Sequence, residues 1–329
     1  MKNKVCFIIP HFGKLQNYFP LFLKTCAYNP AFHWLIVTDD DRPYAYPTNV
    51  KRIAMTFGEL KELITSKINF PIALERPYKL CDFRPLYGHI FSNYLTGYTH
   101  WGHCDTDTIM GNLEQFISDE MLDYYDKIFQ LGHMSIYKNT AEINQIALTP
   151  YQGKEIGKEI LQNPQNCWFD EEWDPEHNVS INKILKEQNK KIYEKDLSLN
   201  ISFSHNRFVR GEFVGTDKTD MPYGFEIESL KEALYLWEKG NLYRLFMRNG
   251  LLIREDYPYM HLQQRKMKLH REVINLDKFE IIPDEFRPFR YSYVDANNFK
   301  FIEKPCYSHL QLQLFLKRLK NYIKRYVLE

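Results

Sequence analysis

Apolar positions along this chain alternate between unbroken short runs and helical spacing, and the alternation starts at once. Residues 5–10 are continuously apolar and end in the turn-like Pro10-His11-Phe12-Gly13, as expected of a strand covered on both faces in the middle of a parallel sheet. Over 18–28 the apolar residues recur at helical spacing, and 33–38 is a second buried strand that runs into Asp39-Asp40-Asp41. Strand, helix and strand in that order predict a β-α-β unit, the usual opening of a nucleotide-binding sheet. A third strand is expected at 50–55. Thr56-Phe57-Gly58-Glu59 follows with the spacing of a capping box, which predicts a helix to about Lys67.

Helical spacing returns over 76–88 and continues through Ile90, Phe91, Tyr94 and Leu95, leading into a short strand at 99–104 whose carboxyl end presents Asp105 and Asp107. Beyond Gly111-Asn112 the pattern predicts an amphipathic helix at 113–125, a strand at 127–137, short helices at 139–148 and 153–161, and a helix at 179–188. Residues 229–239 read as a helix closed by Gly240. The runs 241–246 and 251–255 flank Asn249-Gly250, a strong hairpin turn, and His261 then stands at the end of another short strand. Near the terminus, Leu312, Phe315, Leu316, Leu319, Tyr322, Ile323, Tyr326 and Val327 share one helical face, with Lys317, Arg318, Lys320, Lys324 and Arg325 opposite or flanking. Such a helix suits an anionic bilayer surface, or a docked helix with a solvated basic side.

Composition narrows the classes. With 329 residues, 44% of them apolar, the chain can bury the core of one large or two modest domains. Its 43 basic and 42 acidic residues cancel, so no overall field draws in nucleic acid. The six cysteines are scattered without a Cys-x-x-Cys pair, which predicts reduced packing cysteines in a cytoplasmic protein rather than a disulfide framework or zinc site. The amino-terminal apolar run is too short for a signal peptide, and no segment approaches the roughly 20 apolar residues of a membrane span. A location in the cytoplasm is expected, at the inner face of the plasma membrane if the terminal helix binds lipid. Aromatics make up 16% of the chain; they serve equally as core side chains or as faces for sugar rings.

Neither a Gly-x-Gly-x-x-Gly fingerprint nor a phosphate-binding loop is present, so phosphates must be held by other means. A metal would do this. Asp105 and Asp107 can share a hard divalent cation, although Asp-x-Asp alone is common and Asp39-Asp40-Asp41 offers the same spacing. Lys79 and Asp82, three apart at the start of a predicted helix, form either an exposed ion pair or part of a donor-binding helix, with Arg84 pointing elsewhere. Asp170 and Glu171 stand among Trp168, Phe169 and Trp173, as an acidic loop or as an acceptor-sugar site with a base. His261, followed by Gln263, Gln264, Arg265 and Lys266, has the make-up of a metal-and-diphosphate site, or of an ordinary core histidine.

Taken in order, Ile8-Ile9-Pro10-His11-Phe12-Gly13, Lys79-Leu80-Cys81-Asp82-Phe83-Arg84-Pro85, His103-Cys104-Asp105-Thr106-Asp107 and Met260-His261-Leu262-Gln263-Gln264-Arg265-Lys266 resemble the GT-A class of nucleotide-sugar-dependent glycosyltransferases of bacterial capsule and surface-polysaccharide synthesis. In motif order the chain is similar to the lipopolysaccharide galactosyltransferase, glycogenin-like and initiating mannosyltransferase-like groups, which retain anomeric configuration. The resemblance spans roughly residues 4–270. It departs from the pattern at the late motif, where Gln264 stands in place of glycine and Lys266 lies near the expected lysine, and the acceptor region has no match.

The resemblance implies an α/β, Rossmann-like GT-A fold: a mixed, mostly parallel central sheet flanked by helices over 1–270, an extension packed on it over 271–308, and the basic amphipathic helix at 309–329. It implies Asp105, Asp107 and His261 as ligands of Mn²⁺ or Mg²⁺. Pro10, His11, Phe12, Asp39, Lys79, Asp82 and Lys266 would meet a nucleoside-diphosphate sugar, a UDP-sugar foremost, and Asp170 or Glu171 would orient the hydroxyl of an oligosaccharide or lipid-linked glycan, or deprotonate it if inversion occurs. The activity implied is retaining hexosyl transfer. Two rivals share the features: a sugar-phosphate nucleotidyl- or phosphotransferase, and a non-catalytic carbohydrate-binding protein on the same fold.

Overall fold

A computed structural model describes residues 2–174, 177–201, 207–213, 225–229, 232–302 and 316. Among them lie three sheets in a mixed α/β arrangement. The first has the strand order β3 (Val50–Ala54), β2 (Phe32–Thr38), β1 (Val5–His11), β4 (His100–Cys104), β7 (Met134–Lys138), β6 (Lys127–Ile128) and β8 (Ile192–Tyr193). β3, β2, β1 and β4 run parallel, β4–β7 and β7–β6 are antiparallel, and β6–β8 is parallel again. The continuous apolar run of β1 has the meaning its pattern implied. Cys6 and Ile8 enter one core with Leu60 and Ile64 of helix Phe57–Lys67 and Ile184 of helix Ile181–Glu187, while Val5, Phe7 and Ile9 enter another with Phe19 and Phe22 of helix Phe19–Ala27. Each such fully buried side chain stabilises the fold by about 1.5–3 kcal/mol relative to exposure. The capping box forms: Glu59 N donates to Thr56 Oγ1 at 3.2 Å and Thr56 N donates to Glu59 Oε2 at 2.7 Å.

The second sheet has the order β11 (Phe225–Ser229), β10 (Phe208–Phe213), β9 (Leu199–Ile201), β15 (Tyr259–His261) and β5 (Thr108–Met110). The third has the order β14 (Leu251–Tyr257), β13 (Asn241–Arg248), β12 (Ala233–Glu238), β17 (Lys278–Ile282), β18 (Glu285–Pro288) and β16 (Lys268–Leu269). Because β12 pairs with β17, residue 270 lies within the span of one sheet. The β13–β14 hairpin turns at Asn249-Gly250 as expected, with φ of 52° and 77°.

Several elements differ from their sequence pattern. Residues 233–238 are a strand, not a helix. Leu234 and Leu236 face one cluster and Ala233, Tyr235 and Trp237 the other, a period of two covered on both sides that short-range helix propensity conceals. Gly240 is not a helix stop. With Lys239 it makes the two-residue turn between β12 and β13, both residues at positive φ. The expected strand at 127–137 is two short strands, interrupted by Phe129 at φ 69° and a loop through Gly132. The helical stretch from residue 76 is a 3₁₀ helix, Pro77–Leu86, before a single α-turn, Tyr87–Ile90; Pro85 lacks the N–H that a continuous α-helix would use. The predicted helix at 113–125 divides into a 3₁₀ turn, Leu113–Gln115, and a helix, Asp119–Tyr124, capped by Ser118. The basic amphipathic segment at 309–329 lies outside the described residues, Leu316 apart. No helix among the described residues is long and apolar enough to cross a membrane.

Candidate metal centre

β4 delivers Asp105 and Asp107 at its carboxyl end, where open α/β sheets bind ligands. The chain then leaves the first sheet as β5, which pairs antiparallel with β15 so that Thr108 lies opposite His261. On its other side β15 pairs with β9 and sets His261 against Asn200. Strand register therefore brings together residues about 150 positions apart in sequence. His261 Nε2 lies 3.6 Å from Asp105 Oδ2 and 3.6 Å from Asp107 Oδ2, and one ligand atom from each of the three residues falls within 4.8 Å of the others.

The tautomer of His261 follows from its neighbours. Asn200 Nδ2 donates to Ser198 Oγ at 2.9 Å, and that hydroxyl donates to Asp196 Oδ1 at 2.7 Å, so Asn200 turns its Oδ1 toward His261 Nδ1 at 3.2 Å. An Nδ1–H donated to Asn200 leaves the Nε2 lone pair facing the two carboxylates. His133 stacks on the His261 ring at 4.6 Å and hydrogen-bonds Tyr259 through Nδ1 at 2.9 Å. Asp107 is 2% exposed; burial raises its carboxyl pKa, His261 opposes this and Asp105 adds to it. Two carboxylate oxygens, each 3.6 Å from the imidazole Nε2, stand close enough together for one hard divalent ion to draw on all three.

The turn after β15 completes this wall. Gln263 and Gln264 both have positive φ, 54° and 52°, so Gln264 adopts the conformation that glycine prefers, and its N–H donates to Asp107 Oδ2. Lys266 is exposed beyond the turn and pairs with no described residue.

Arg84, expected to point elsewhere, forms the opposite wall. Its Nη2 pairs with Asp105 Oδ1, and its Nη1 donates to Asp170 Oδ2 and to Gly132 O, both at 2.8 Å. Asp170 is 1% exposed and its Oδ1 has no partner among the described residues. Burial pushes its carboxyl up to about 6 against the opposing pull of Arg84. Glu171 Oε2 accepts from Gly132 N at 3.1 Å; burial and then the Asp170 charge push it up to about 8. A Cβ at position 132 would lie 2.4 Å from Asp170 Oδ2 and 3.0 Å from Glu171 Oε2, so glycine lets both carboxyls close here without shifting. Arg84, Gly132, His133 and Asn200 were not legible as site residues. Arg84 alone carried a signal, an arginine two positions beyond Asp82, and the 3₁₀ winding that aims it is not visible in a helical pattern.

Lys79 and Asp82 do not face this site. Their 2.7 Å ion pair is buried, with side chains 1% and 0% exposed, so it is not a surface pair. Lys79 Nζ donates to Ile160 O and Gln165 O, at 3.0 and 2.7 Å, and Asp82 accepts from Cys167 N and Phe169 N, both at 2.9 Å. The pair is a clamp for the segment that carries Asp170. Asp39 is exposed and its Oδ1 accepts from Gly13 N at 2.7 Å, tying down the turn after β1. Within that turn Phe12 packs on Phe57, ring centroids 5.4 Å apart. Burial drives His11, at the end of β1 after Pro10, toward neutrality, and the Lys14 backbone and then the charges of Asp107, Asp105 and Asp40 oppose it. The model of a family of unknown function, DUF6625, matches residues 7–290. No curated protein matches the chain.

Proposed function

We propose that this chain, which belongs to the DUF6625 family, is a metal-dependent glycosyltransferase of the GT-A type that moves a hexose from a nucleoside-diphosphate sugar, a UDP-sugar foremost, to a hydroxyl of a free or lipid-linked glycan, with retention. One observation carries the reading: Asp105, Asp107 and His261 converge at the carboxyl end of a parallel strand in a sheet that has no phosphate-binding loop. Those three residues would hold Mn²⁺ or Mg²⁺. Such an ion supplies charge neutralisation to a departing diphosphate.

The protein's own groups do the rest. Asn200 keeps His261 in the ligating tautomer, and Gln264 N–H holds Asp107 in place. Lys266, exposed beside that turn, adds positive charge for the leaving phosphates. Arg84 bridges Asp105 to Asp170 and so sets the second carboxyl pair at a fixed reach from the metal ligands. Asp170 is paired with Arg84, whereas burial and the Asp170 charge favour the protonated form of Glu171, so the pair can offer an acceptor and a donor to sugar hydroxyls. Lys317, Arg318, Lys320, Lys324 and Arg325 give the chain a basic stretch for an anionic, cytoplasmic bilayer face.

The test is Asp107→Asn assayed for hydrolysis of a panel of nucleotide sugars with Mn²⁺. A folded variant is expected to lose on the order of 100-fold in turnover, the scale of losing one electrostatic stabiliser; undiminished turnover would sink the metal assignment. A phosphorylated acceptor among the products would identify a phosphotransferase instead.

A further inference from the structure

The Asp82 clamp fixes one end of a tight turn whose side chains point in opposite directions. Phe169 is fully buried and its carbonyl accepts from Ile181 N at 2.8 Å, while Glu171 N donates back to Trp168 O at 3.4 Å. Asn178 Nδ2 braces the same turn, donating to Trp168 O and Glu171 O at 3.3 and 3.2 Å. Held this way, Trp168 is thrust outward: it is 39% exposed and sits at φ 51°, a left-handed conformation that a bulky side chain rarely adopts. Its indole meets Trp173 edge to face, with centroids 5.2 Å apart. Tyr78, 60% exposed, stands alongside, its hydroxyl near enough to feel Trp168 and the charges of Glu171 and Asp170. Asp170, in the same turn, is buried, and its Oδ1 has no partner among the described residues.

From this juxtaposition we infer that Trp168, Trp173 and Tyr78 form a saccharide platform: a pyranose ring lays its C–H face on the Trp168 indole and turns its hydroxyl edge to Glu171 and Asp170. The inference rests on the glycosyltransferase reading and names its acceptor subsite. The chemistry selects the ligand. A purely apolar partner would cover the indoles but strip water from the half-buried Glu171 carboxyl beside them, which is costly, whereas a pyranose offers an apolar face and hydrogen-bonding edges together. Arg84 links Asp170 directly to Asp105, so a ring on this platform is adjacent to the metal ligands.

The full chain, labelled with ¹⁵N-tryptophan, tests this. Of its five tryptophans, Trp34, Trp101 and Trp237 are buried, leaving the indole signals of Trp168 and Trp173 as reporters. Titration with lactose, maltose and the methyl glycosides of glucose, galactose and mannose is expected to shift both. Trp168→Gly, which suits the positive φ, should weaken the affinity read at Trp173 by roughly tenfold, and Trp168→Phe should restore most of it. Tyr78→Ala, at an exposed position, gives a second variant with the same expected direction. The proposal is overturned if no saccharide shifts the two indoles, if affinity survives Trp168→Gly, or if UDP moves them and saccharides do not. The titration needs neither metal nor nucleotide, so it succeeds or fails independently of metal-dependent donor cleavage.

Discussion

Asp170 and Glu171 are neighbours in sequence, yet Arg84 separates their chemistry. The guanidinium faces Asp170 directly, and Glu171 is left with a backbone N–H and the repulsion of the adjacent carboxylate. Both pKa values lie above the ordinary carboxyl range near 4, so the folded protein binds protons that the unfolded chain would release. The sign follows. Their stabilising contribution is whole below about pH 4 and is lost as pH rises, first through about 6 for Asp170 and then through about 8 for Glu171. Asp107, also raised, adds to the same trend. Urea midpoints of the metal-free protein are therefore expected to fall between about pH 4 and about pH 8, and Glu171→Gln should remove most of the part of that fall above about pH 6. An identical slope in the variant would mean that the buried proton lies on another group. At this scale the sequence was partly legible. Asp105 and Asp107 stood out because a strand ran into them, but nothing local marks Gly132, whose use arises only when Asp170 and Glu171 close over it.

At the scale of elements, the segment from Pro77 to Leu86 shows how one change of winding reassigns residues. An α-helix would have set Lys79 and Asp82 together on a surface; the 3₁₀ helix buries the pair and turns Arg84 to the carboxylates. If Lys79 is a clamp, Lys79→Ala leaves Asp82 buried without its counter-ion and should destabilise the fold by about 3–5 kcal/mol, read from the unfolding midpoint. A donor contact would behave oppositely, with stability kept and only the KM for donor raised. Elements that local pattern specifies strongly were legible: β1, β2 and β3, the Thr56 cap, and the Asn249-Gly250 hairpin each depend on adjacent residues alone. β12 was not, because its Leu, Ala and Glu residues favour helix and only partners far along the chain, β13 and β17, make it a strand.

Across the molecule, the candidate centre sits where two sheets share a strand end. Asp105 and Asp107 close the first sheet, His261 and its orienting Asn200 belong to the second, and Arg84 and Asp170 approach from the helical layer and its loop. The order of short motifs made the convergence of Asp105, Asp107 and His261 predictable, while the β5–β15–β9 pairing that achieves it connects segments too distant for local pattern to reveal. Such a placement has an energetic consequence. Without a cation, two carboxylates and a histidine lone pair face one another across the seam between the sheets, so an ion bound there adds its binding free energy to folding, about 2.7 kcal/mol at 100 times Kd. Mn²⁺ is accordingly expected to raise the melting temperature in a concentration-dependent way, with EDTA reversing the shift. His261→Ala keeps both carboxylates but opens the seam from the second sheet, and should abolish most of the rise. Arg84→Met gives the opposite contrast, because removing the cation that competes for Asp105 should leave the rise intact or enlarge it. If Mn²⁺ stabilised His261→Ala as strongly as the unaltered chain, the ion would be bound elsewhere, and the seam would be held by the β5–β15 pairing and the Gln264 N–H on Asp107 without a metal.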